Sequence, residues 1–97
     1  MNIRFDNESV RVRVSHPEAL RLLAEGGLGE FWLTVQTRDL EVMALERHGD
    51  GFLFWVSKHK LVDMLNSKKL GLVQEGPMKL LFEIDRFTTP AMLNNLS

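Results

Sequence analysis

The sequence predicts an α+β fold: a mostly antiparallel sheet, or a barrel-like β structure, of about seven strands with two short helices. Three observations carry that reading. Apolar and polar residues alternate with a period of two at the N-terminus, as a strand with one buried face requires. Two other stretches place apolar residues at helical spacing, each behind a serine suited to cap a helix. The two helix starts also align without a gap: Val14-Ser15 on Val56-Ser57, Leu23 on Leu65, and Leu28-Gly29 on Leu70-Gly71. The alignment predicts a pseudo-twofold repeat of βαββ units, at about 9–47 and 52–87. One such unit leaves its apolar sheet face uncovered, and two packed together cover it.

Residues 2–14 read as a β-hairpin. Ile3 and Phe5 alternate with Asn2, Arg4 and Asp6, and Val10, Val12 and Val14 alternate with Arg11 and Arg13. With Asn7-Glu8 as a two-residue turn, Phe5 faces Val10 and Arg4 faces Arg11. Ser15-His16-Pro17-Glu18 is a capping box with proline in the first turn. The helix behind it runs to about Glu25, with Ala19, Leu20, Leu22 and Leu23 inward, and Gly26-Gly27 ends it.

Strands follow at Phe31 to Thr37 and Leu40 to Arg47, joined through Arg38-Asp39. His48-Gly49-Asp50-Gly51 is a strong turn signal. Phe52 to Val56 is apolar throughout, so both of its faces are expected to be covered. Ser57 caps a second helix, about Lys58 to Lys68, with Leu61, Val62, Met64 and Leu65 inward. The last strands are Leu72 to Glu75 and Lys79 to Arg86, separated by Gly76-Pro77. Residues 88–97 form a tail, in which Thr89-Pro90 is placed to start one short helical turn over Met92 and Leu93.

Composition narrows the function classes. The chain has 97 residues, which suits one domain spanning 1–97, and 44% of them are apolar, enough for one core. A net charge of −1 gives no bulk attraction to nucleic acid or to an anionic membrane. There is no cysteine, which excludes disulfides, thiol catalysis and thiolate metal sites and suits a reducing compartment. The opening Met1 to Asp6 does not read as a signal peptide, and no apolar run reaches the ~18 residues of a membrane span. A cytoplasmic protein is therefore expected.

The residues offer no catalytic constellation. Nucleophile-elbow, phosphate-loop and dinucleotide-binding glycine patterns are missing, and Gly26-Gly27-Leu28-Gly29 follows a helix instead of opening one. His16, His48 and His59 lie at unrelated spacings, so no metal site or cofactor is expected. Glu83 and Asp85 share a strand face but read as a solvated pair.

The sharpest feature is the trio Arg4, Arg11 and Arg13. Like charges opposite one another in a sheet are unfavourable, so they need a neutralising partner. Internal carboxylates at Glu41, Glu83 or Asp85 would serve. So would an external anion, which guanidinium forks suit. Lys58 and Lys60 open the second helix against its dipole and extend the candidate binding set. Trp32 and Trp55 point opposite to their strands' apolar neighbours. They are the candidate interface residues, to be either exposed or covered by a helix.

Three segments carry a resemblance: Met-Asn-Ile-Arg-Phe followed by Val-Arg-Val-Arg-Val-Ser, the Phe-Trp-Val-Ser-Lys step into the second helix, and Leu-Leu-Phe-Glu-Ile-Asp-Arg-Phe near the end. Together the chain resembles a family of small bacterial proteins of unknown function, a domain that starts Met-Lys-Ile-Arg-Ile and has a Val-Pro-Lys helix start. Ser57 stands where that family places proline. The resemblance implies a bacterial chain and brings no activity, cofactor or site. The strand-Val-Ser-Lys-helix step is also similar to swapped-hairpin DNA-binding domains of the AbrB/MazE type.

The sequence thus points to a small non-enzymatic binding or interaction protein with an arginine-rich surface for an anion or a protein partner, self-association as a homodimer included. A DNA-binding regulator or antitoxin-like protein is the first alternative, with nucleic acid the less favoured partner. A carrier of a small anionic ligand is the second. No membrane partner is expected.

Overall fold

The structure is a computed structural model that describes residues 1–29, 32–67, 69 and 71–85. The predicted tail 88–97 with its Thr89-Pro90 turn, the predicted strand start at Phe31, the helix end at Lys68 and the strand end at Arg86 lie outside those residues.

Ten elements run in the order β1 (Asn2–Phe5), β2 (Ser9–Ser15), α1 (His16–Glu25), β3 (Gly27–Gly29), β4 (Leu33–Arg38), β5 (Ala44–His48), β6 (Gly51–Ser57), α2 (Lys58–Ser67), β7 (Gly71–Gln74) and β8 (Lys79–Asp85). The fold is α+β, and the strands form two four-stranded sheets, β1-β2-β8-β7 and β3-β4-β6-β5. Each sheet is mixed. Its central pair, β2 with β8 or β4 with β6, is parallel, and its outer pairs are antiparallel hairpins. The barrel-like alternative does not hold: among the described residues the strands form two separate sheets, each with two edge strands. The described residues form eight strands, not seven. Gly27–Gly29, which reads as a helix stop, pairs with β4 through Leu28 and Val35.

Each helix carries the chain from one sheet to the other: α1 joins β2 to β3, and α2 joins β6 to β7. The inward faces meet in one core. Val10, Val12, Val14, Phe82 and Ile84 come from the first sheet, Leu33, Val35, Phe54 and Val56 from the second. Ala19 and Leu22 of α1 and Leu61 and Met64 of α2 complete it. Leu20, expected inward, is 48% exposed. It follows Ala19 on a ten-residue helix whose buried positions are three apart, Ala19 and Leu22, which leaves Leu20 beside the buried stripe.

Local chemistry explains the joints. The capping box is complete: the Glu18 amide donates to Ser15 Oγ at 3.2 Å and the Ser15 amide to Glu18 Oε1 at 2.9 Å. Gly26, at φ 79°, ends α1 in the left-handed region and donates its N–H to the Leu22 carbonyl. The second cap is looser. The Lys60 amide lies 3.4 Å from Ser57 Oγ, whose other neighbour is His59 Nδ1 at 3.3 Å. Gly51 allows the close passage of Trp32, because a Cβ there would fall on the Trp32 carbonyl, which accepts from the Phe52 amide at 2.9 Å.

One joint has no signal in the local sequence. The Gln74 side chain donates to the Met43 carbonyl at 2.6 Å and accepts from the Met43 amide at 2.7 Å. A side-chain amide on the edge of the first sheet thereby pairs with the connection between β4 and β5 as a strand would. Among the described residues, no helix is long and apolar enough to cross a membrane.

Candidate anion-binding face

The site begins with a turn. Asp6 Oδ1 accepts from the amides of Glu8 and Ser9 at 2.8 and 2.7 Å, and Oδ2 accepts from the Ser9 hydroxyl at 2.8 Å. The Glu8 amide, then the hydroxyl and amide of Ser9, hold the Asp6 carboxyl below its ordinary value. This Asx-type clamp closes the two-residue turn and fixes the register Phe5 to Val10, Arg4 to Arg11, Ile3 to Val12 and Asn2 to Arg13. Since Val10, Val12 and Val14 point into the core, Arg11 and Arg13 point away from it.

The outward face therefore gathers Asn2, Arg4, Arg11 and Arg13 around one shallow hollow of about 30 Å³. The parallel pairing of β2 with β8 sets Glu83 opposite Arg13. Glu83 Oε1 lies 3.1 Å from Arg11 Nε and 3.7 Å from an Arg13 terminal nitrogen. That oxygen is buried and forms no directed hydrogen bond with either, so the contact is one of charge. Arg4 has no carboxylate within ion-pair distance among the described residues. Of the carboxylates considered as partners, Glu83 takes the role, while Glu41 meets His59 Nε2 at 3.3 Å.

Next to the hollow, Asn2 and Arg13 also border a wider depression of about 300 Å³ shared with Ser15, Glu18 and Asp85. Its carboxylates make that side mixed in charge. Burial alone would raise the Glu18 pKa. The Met1 ammonium at 2.7 Å and the Ser15 amide outweigh it, and the net shift is downward.

Lys58 and Lys60 stand elsewhere. They open α2, at the end of β6 in the second sheet, and neither lines the hollow that the arginines border. The tryptophans separate as well. Trp32 is 43% exposed and meets the Phe5 ring edge-on, with centroids 5.3 Å apart. Trp55 is only 6% exposed. The Arg38 guanidinium lies 3.1 Å from its ring centre, and Trp55 Nε1 donates to Glu46 Oε1 at 2.6 Å. Trp32, His48, Asp50 and Phe52 border a cavity of about 360 Å³ at Gly51, a feature with no signal in the local sequence.

No group of three or more His, Cys, Asp or Glu suited to a metal ion occurs among the described residues. No protein family, curated protein or solved structure matches the chain.

Proposed function

We propose that the protein is a non-enzymatic binding module whose outer face on the first sheet holds an anionic group of a partner. The observation that carries this reading is the direct opposition of Arg4 and Arg11, with Glu83 serving Arg11 and Arg13 and, among the described residues, no carboxylate within ion-pair distance of Arg4. Like charges across a sheet cost stability, and nothing in the described chain offsets Arg4. A folded domain retains such an arrangement at little cost when an external anion completes it. Lys58 and Lys60, on the other sheet, belong at most to a second contact. A bacterial cytoplasmic setting and the resemblance to small uncharacterised bacterial proteins fit this reading. So does an interpretation of the two hairpin–helix–hairpin segments as a pseudo-twofold repeat, in which one copy of the outer face became cationic.

The test is a titration of the intact chain with a polyglutamate peptide and with mixed-sequence DNA, each at about 50 and about 200 mM salt. Acidic-peptide binding that an Arg4→Ala/Arg11→Ala/Arg13→Ala variant loses, with its melting temperature retained, supports the reading. Binding to DNA alone, falling steeply with salt, moves the assignment to a nucleic-acid regulator. A chain indifferent to every polyanion at low salt ends it.

Self-association is a second reading, favoured by the exposed Trp32 packed on the exposed Phe5. Sedimentation of the wild type and of Trp32→Ala decides it: a dimer lost in the variant supports the reading, and a monomeric wild type removes it.

A further inference from the structure

We infer that the hollow among Asn2, Arg4, Arg11 and Arg13 takes the phosphoryl group of a phosphate monoester. The inference rests on the reading of this face as an anion site and names the anion.

Charge argues first. Among the described residues, Glu83 is the one carboxylate within 4 Å of these guanidinium groups, and it meets Arg11 and Arg13 but not Arg4. Asp6, which acts on Arg11 through charge, and Asp85 stand on the same face but do not line the hollow, whose lining is three guanidinium groups and one amide. A monoester brings about −1.5 to −2 at neutral pH and three acceptor oxygens to those donors, where a carboxylate or a phosphodiester brings a single charge.

Geometry argues second. Arg4 and Arg11 are cross-strand partners, so their Cα atoms lie about 4.5–5.5 Å apart. Arg13 is two residues further on the same face, opposite Asn2. Donors from two strands therefore converge on one point instead of following a line, which suits a compact tetrahedral group better than an extended chain of charges. The Asn2 amide adds a neutral donor. Glu83 meets Arg11 at Nε, which leaves the two terminal nitrogens of Arg11 for a ligand. The hollow, about 30 Å³ and open to solvent, admits the head of an oxyanion and leaves the esterified remainder outside. That remainder would lie along the face toward Leu81 and the exposed Val73.

The charged groups on the face of the hollow are Arg4 on β1, Asp6 at the turn, Arg11 and Arg13 on β2, and Glu83 and Asp85 on β8; no histidine is among them, and Asp6 is held below its ordinary value. A change in affinity between pH about 7.5 and about 5 therefore reports mainly the second ionisation of the phosphate, near pH 6.

The experiment follows the arginine Nε–H resonances of the isotopically labelled full chain at constant ionic strength. The probes are O-phosphoserine, a nucleoside monophosphate, inorganic phosphate, sulfate, dimethyl phosphate and acetate. Saturable shifts at Arg4, Arg11 and Arg13 are expected with the three monoanion-to-dianion phosphates, severalfold weaker at the lower pH. Sulfate, a dianion at both values, binds without that weakening. Dimethyl phosphate and acetate bind about tenfold less tightly, and Arg4→Gln weakens the phosphates about tenfold while its melting temperature holds. Equal affinity for the three phosphates identifies the phosphoryl group itself as the ligand, and a preference identifies its source. Dimethyl phosphate or acetate binding as tightly as the monoesters overturns the inference. So do resonances that phosphate leaves unmoved while polyglutamate still shifts them, an outcome that spares the broader reading. If neither phosphate nor polyglutamate moves them, both fall.

Discussion

The two sheets have the same strand directions and opposite outer faces. In the first, the register places Arg4 against Arg11 and Asn2 against Arg13. The corresponding hairpin of the second sheet places Glu46 against Leu53 and Ala44 against Trp55. Charge is reversed at the flanking strands too: Glu83 stands beside Arg13, and Arg38 covers Trp55. On the second face the Trp55 indole donates its hydrogen bond to Glu46 and lies under the Arg38 guanidinium. On the first face, Arg4 has no carboxylate within ion-pair distance among the described residues. Inward, both sheets meet the same demand for apolar surface. Outward, the topology leaves the choice of side chain free, and that freedom is where binding capacity resides.

The largest test of this contrast concerns the faces that should be alike. Phe82→Ala and Phe54→Ala each delete a fully buried ring, one per sheet. Each should cost about 3–5 kcal/mol in urea unfolding with a single transition. A large effect in one sheet alone would mean that the sheets do not share one core.

Next in size, Gln74→Ala removes both bonds to the Met43 backbone and should cost about 1–3 kcal/mol. Faster hydrogen exchange at the Met43 amide would locate the loss, and unchanged exchange would contradict the pairing.

The helix starts form a third contrast. Ser15→Ala should cost about 1 kcal/mol and Ser57→Ala less for the cap itself, since the second cap bond is longer and lacks a reciprocal carboxylate. The Glu18 carboxyl is held below its ordinary 4.5 in the folded state. Its contribution is therefore fully present above that pH and is lost as pH falls through the folded value. The stability gap between wild type and Glu18→Gln should close on acidification, and a gap that widened would reverse the sign.

The smallest effects lie on the outer faces. Arg38→Ala should cost about 0.5–1 kcal/mol and shift Trp55 emission to the red as the ring is uncovered. Arg4→Ala, on the other face, should change stability by no more than about 0.5 kcal/mol, in the stabilising direction if repulsion from Arg11 outweighs lost packing. A destabilisation as large as that of Arg38→Ala would mean that Arg4 is neutralised within the chain.

Much of this was legible before any coordinates. Alternation and a two-residue turn set Arg4 against Arg11, because a slip by one residue would turn Val10, Val12 and Val14 outward. The clamp on that turn, however, is Asp6, one residue before the Asn7-Glu8 signal. Outward tryptophans followed from their strands' alternation, but the cover on Trp55 depends on where Arg38 at the end of β4 lies against β6. The choice of Glu83 over Glu41 needed the parallel pairing of β2 and β8, and the Gln74 clamp joins residues 31 apart. Neither leaves a local trace.

By itself, the sequence determined what depends on neighbours along the chain: hairpins, capped helices, buried stripes and the facing of the N-terminal arginines. Short-range sterics and periodicity suffice for these. Tertiary structure alone decided which strands joined which sheet, that the sheets stayed open, and which distant side chain met each exposed charge. Those outcomes turn on pairing between segments far apart in sequence, where many combinations satisfy the same local pattern and only closure of the common core selects among them.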